Sequence, residues 1–76
     1  MSLQIKAKQI LDNFEQTPSE DILDILNKIL ENFQSQITQN YLKGKLKTIS
    51  DTSDEDQKKK LCKNLKPYFD WYLQGQ

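Results

Sequence analysis

Arginine, histidine and valine are absent from this 76-residue chain, cysteine and tryptophan occur once each, and glycine and proline twice each. Each shortage removes a class of function. Without histidine, no side chain titrates near neutrality of its own accord and no imidazole is offered to a metal. Without arginine, which codon bias in an AT-rich genome would also explain, there is no bidentate clamp for phosphate or guanine. Both losses weigh against an enzyme, so no catalytic residue, metal site or cofactor is expected. The lone Cys62 cannot close an intrachain disulfide, which excludes a disulfide-framework miniprotein and fits a reducing cytoplasm. No apolar run approaches the roughly 18 residues of a membrane span, and Met1-Ser2-Leu3-Gln4-Ile5-Lys6 lacks the apolar core of a signal peptide. A cytoplasmic protein with no membrane span is the expectation.

What is present is helical periodicity. Residues 1–76 are expected to form a single helical domain, near the lower size limit for one hydrophobic core. Its organising stretch is Thr17-Pro18-Ser19-Glu20 with the ladder Ile22, Leu23, Leu26, Ile29, Leu30, Phe33 and Ile37, spaced by three and four residues. Thr17 suits an N-cap, Pro18 the first helical position and Glu20 the return bond of a capping box. The spacing predicts a helix over 18–40, preceded by one over 3–15 built on Leu3, Ala7, Ile10, Leu11 and Phe14. The short link between them predicts an antiparallel hairpin.

Beyond residue 40, Asn40 and Gly44 both offer a stop, and a break or short separate turn is expected over 41–49. A loop over 50–54 leads to a new cap, Thr52 with Glu55 or Ser53 with Asp56. It opens a helix over 53–74 on the stripe Leu61, Leu65, Tyr68 and Tyr72, kinked or broken at Pro67, with Gly75 closing the chain. The fold class is therefore all-α, a compact three- or four-helix bundle.

Functional signals are weaker. Cys62 lies on the apolar stripe and reads as a core residue. The carboxylate pairs Asp21 with Asp24 and Asp54 with Asp56 read as helix caps rather than a cation loop, and Ser19 among acids is a weak kinase match. Residues 1–40 carry three Lys against six acids and residues 41–76 eight Lys against five, so the two halves differ in sign. Lys43, Lys45, Lys47, Lys58, Lys59, Lys60, Lys63 and Lys66 would serve nucleic acid if they gathered on one face. Trp71 falls off the stripe of its helix, beside Lys60 and Asn64, and with Tyr41 is the candidate anchor for a protein partner. Ile5 also falls off its stripe, and an apolar edge of Ile25 with Leu42 is available to a homodimer.

The opening pattern, a helix, a short Pro-containing link, an acidic helix start and the ladder Ile22-Leu23-Asp24-Ile25-Leu26, resembles small helical antitoxins and bacteriocin-immunity proteins. The resemblance spans at most half the chain, and no residue role is carried over from it. It implies a non-catalytic interaction module, of adaptor, inhibitor or immunity/antitoxin type. The alternative is a lysine-dependent nucleic-acid-binding regulator.

Overall fold

The computed structural model describes residues 2–74, so the expected closing role of Gly75 lies outside the described residues. Five α-helices follow one another: α1, Leu3–Asp12; α2, Ser19–Leu30; α3, Gln36–Ser50; α4, Glu55–Lys63; and α5, Lys66–Leu73. A single 3-10 turn, Phe14–Gln16, joins the first two, and no strand occurs among the described residues. The chain is all-helical as expected, with five helices in place of three or four because two of the expected helices are each divided.

The first division falls at Leu30. The Asn32 side-chain amide donates to the Lys28 carbonyl (3.1 Å) and the Phe33 N–H to the Leu30 carbonyl (3.3 Å), which closes α2 in a turn. Phe33 stays buried as the anchor of the loop, and Gln39 ties the far side by donating through Nε2 to the Phe33 carbonyl. Ser35 then caps a new helix, its Oγ accepting from the Thr38 N–H (3.3 Å). The ladder therefore ends at Phe33, and Ile37, one step further along, is 82 % exposed. The expected break near Gly44 does not occur. Leu42, Leu46 and Ile49 hold one buried face of α3 straight through the glycine.

A Cβ built on Gly44 meets nothing within 4 Å. Gly44→Ala is accordingly expected to stabilise the chain by about 0.5–1 kcal/mol by removing backbone entropy from a helix interior. A rise in the urea midpoint at unchanged slope checks this.

The second division separates α4 from α5. Asn64 and Leu65 leave the helical path, and Pro67 sits in the first turn of α5, where a missing N–H is harmless. Of the kink or break expected at Pro67 within 53–74, the chain shows the break: α4 and α5 are separate helices, and no single kinked helix runs through them.

The start of α2 also differs from its expected capping box. Thr17 does not cap it, because its hydroxyl donates back to the Asn13 carbonyl (2.8 Å). Pro18 is the N-cap residue and makes no side-chain capping bond. The cap comes from α4 instead. Glu55 accepts from the Ser19 hydroxyl at Oε1 (2.7 Å) and from the Ser19 N–H at Oε2 (3.2 Å). Those two bonds, the hydroxyl's first, hold the Glu55 carboxyl below its ordinary range.

One turn along, Lys59 donates through Nζ to the carbonyls of Phe14 (2.9 Å), Glu15 (3.2 Å) and Thr17. A single acid–base step on α4 thus places a carboxylate at the N-terminal end of α2 and an ammonium at the carbonyls of the preceding turn, each at the dipole end that favours it. Asp54, rather than Thr52 or Ser53, caps α4 by accepting from the Gln57 N–H (3.1 Å).

Helix α2 packs against each of the other four. Its Ile22, Leu26 and Ile29 lie at the centre of one core, which takes Ala7 and Ile10 from α1, Leu42 and Leu46 from α3, Cys62 from α4 and Phe69 from α5. The radius of gyration, 11.6 Å, is that of a folded chain of this length, about 11.4 Å. The edge formed by Ile25 and Leu42 is buried within this core, so it is not the apolar edge expected to remain for a dimer. Among the described residues no helix is long and apolar enough to cross a membrane.

Candidate functional site

Helix α3 packs more closely against α4 than against α5. Where the chain turns from α4 into α5, a groove of about 320 Å³ opens between them. Tyr41, Lys45 and Thr48 follow one another along α3 at its rim, above buried Ile49. The opposite wall is Leu61, Asn64 and Leu65, then Pro67, Tyr68 and Trp71. Burial raises the pKa of the Tyr68 phenol, with Tyr41 adding to it.

The Tyr68 ring stands edge-on between two other aromatics, Phe33 at 5.9 Å and Trp71 at 5.1 Å between centroids. Trp71 is 49 % exposed and Tyr41 57 %, so the two walls present aromatic surface to solvent. The Lys45 ammonium lies over the Tyr41 ring, 5.3 Å from its centroid. On its other side Trp71 borders a smaller hollow of about 250 Å³ with Phe33, Thr38 and Gln74. With Ile37 one turn before Tyr41 on α3, three of the four large exposed apolar residues among the described residues lie on α3 and α5; the fourth is Ile5.

Trp71, Asn64 and Tyr41, expected from sequence to meet a partner, therefore line one groove, whereas Lys60 lies a turn away and does not. Ile49, Leu65 and Tyr68 were legible only as core residues. Lys45 was legible only as one of many lysines.

Several of the lysines are engaged within the chain. Lys59, Lys63 and Lys66 converge on the turn after α1: Lys59 on its carbonyls, Lys63 on the Glu15 carboxylate (3.5 Å), and Lys66 over the Phe14 ring, 5.0 Å from its centroid. Lys47 pairs with Asp51 (3.5 Å). Lys58 borders a hollow with Ser19 and Glu55, while Lys43 and Lys60 are exposed.

Other reactive groups are committed to the fold. Cys62 is fully buried, and its thiol is pushed up to about 11, first by burial and then by Glu55, so it stays protonated at neutral pH. Ser19 is 2 % exposed with its hydroxyl on Glu55, which removes it as a modification target in the folded chain. Asp24 pairs with Lys28 (3.4 Å). Among the described residues no group of three or more metal-ligating side chains converges. A larger trough, about 550 Å³, runs between α1 and α2, but its walls mix Lys6 and Gln9 with Asp21 and Asp24 and hold no aromatic residue.

Comparison with protein-family models, with curated proteins and with solved structures found no match to this chain.

Proposed function

We propose that this chain is a non-catalytic protein-interaction module, of adaptor, inhibitor or immunity/antitoxin type, that engages a protein partner through the groove between α3 and α5. The observation that carries this reading is the pairing of Tyr41 and Trp71 across an apolar floor. Aromatic side chains that border a pocket and keep surface open to solvent are the residue type that supplies most of the energy at protein interfaces. In this reading α1 and α2, an antiparallel hairpin, are scaffold, and Cys62 remains a free thiol in a reducing cytoplasm. The engagement of Lys59, Lys63 and Lys66 at the turn after α1 and of Lys47 with Asp51 supports a protein partner over nucleic acid, because a phosphate-binding surface needs its lysines turned outward on one face.

Tyr41→Ala is expected to weaken stoichiometric capture of the partner from lysate about 10- to 100-fold, the range of an interface anchor. Its thermal unfolding should stay close to that of the parent chain, because the ring is more than half exposed. Ile5→Ala, an exposed apolar residue outside the groove, should leave capture unchanged. Equal capture by all three chains would refute the groove as the working surface.

A further inference from the structure

We infer that the groove takes an amphipathic helix of about three turns from a partner protein, carrying acidic residues beside its apolar face. This rests on the interaction-module reading and specifies the partner. The first argument is backbone chemistry. No strand edge exists among the described residues, and the walls are helices whose main-chain groups bond within themselves. An extended segment laid in such a trench would leave its own N–H and C=O groups without partners, whereas a helix arrives with them satisfied.

Length is the second argument. From Thr38 in the smaller hollow to Thr48 in the larger one, α3 runs ten residues, or about 15 Å at 1.5 Å per residue. Trp71 borders both hollows. A bound helix would set one apolar side chain on each side of the indole, which matches anchors at i, i+3 or i+4, and i+7.

The third argument is charge. Among the described residues Lys45 is the one formally charged residue lining either hollow, and no acid lines them. Acidic side chains flanking the apolar face of an incoming helix would meet that ammonium. A second copy of this chain docking by the same face would bring a second Lys45 and no lining acid to meet either ammonium, since a two-fold interface repeats each patch on both sides. Charge complementarity therefore favours an acidic partner over self-association.

The test is selection of a displayed random-peptide library against the full chain, with binding followed by the emission of Trp71, the one tryptophan. Enriched peptides should carry apolar residues at helical spacing and an excess of Asp and Glu. Binding of a selected peptide should shift the emission to the blue, weaken at least 10-fold in Tyr41→Ala and weaken about 10-fold in Lys45→Glu. Peptides enriched at the groove but basic, neutral or alternating at every second residue would overturn the acidic helix while sparing the interaction module. No enrichment, or binding indifferent to Tyr41→Ala, would overturn both. Concentration-dependent sedimentation of the chain, abolished by Tyr41→Ala, would assign the groove to a second copy and overturn the inference.

Discussion

Phe69→Ala is expected to remove about 3–5 kcal/mol of stability, the usual cost of emptying a fully packed phenylalanine site. At about 0.05–0.15 kcal/mol per residue the whole chain holds roughly 4–11 kcal/mol, so this one change would remove at least about a quarter of it. Phe69 is 0 % exposed and is the largest of the fully buried side chains. It lies on α5, which packs against both α1 and α2, so the cavity opens where three helices meet. Urea unfolding followed by far-UV circular dichroism measures the loss. Phe69→Leu, which refills much of the volume, should cost markedly less. A loss below about 1 kcal/mol for the alanine variant would mean that α5 contributes little to the cooperative core.

The second large effect is expected at Lys59. Lys59→Met keeps the aliphatic stem but removes the ammonium that three carbonyls share. Charge-assisted bonds of this kind are worth about 1.5–3 kcal/mol, and the variant should lose a comparable amount in urea titration. Its partner on α4 adds a pH dependence. Because the folded Glu55 carboxyl titrates below its ordinary range, the folded state binds fewer protons there than the unfolded state. That contribution is fully present above the ordinary glutamate value, about 4.3, and is lost as the pH falls through the lower folded value. The urea midpoint of the parent chain should therefore fall more steeply between about pH 5 and pH 3 than that of Glu55→Gln. Parallel pH profiles would show that the carboxylate contributes nothing to the junction.

Local signals were legible in the sequence, including the link before Pro18, the loop over 50–54 and the break at Pro67. The break at 31–35 and the contacts made across junctions were not. The stripes of Ile22, Leu26 and Ile29 and of Leu42, Leu46 and Ile49 are buried as their spacing implies, because periodicity reports which face a helix turns inward. The same periodicity misleads at Phe33 and Ile37. The two lie four residues apart, but the chain between them leaves the helix over 33–35, and Ser35 starts α3 in a new direction. Glu55 reads locally as an N-terminal acid of its own helix, yet its carboxylate serves Ser19, 36 residues away. Nothing in a one-dimensional pattern distinguishes a cap supplied within a helix from one supplied by another. The groove was half legible. Trp71 stood out by lying off its stripe, whereas Ile49, Leu65 and Tyr68 become its floor and wall only once the turn at Leu65 divides α5 from α4.

The grip of α4 on the turn after α1 has a consequence for synthesis. Chain growth delivers Phe14, Thr17 and Ser19 long before Glu55 and Lys59, and α1 packs against α2 and, later still, α5. A nascent chain halted after α3 would hold an uncapped α2 and an α1 without α5 to cover it. Contacts between segments so far apart must wait until both exist, so native structure forms late, once α4 and α5 have left the ribosome. Until then the apolar face of α2 is open to whatever binds unfinished chains.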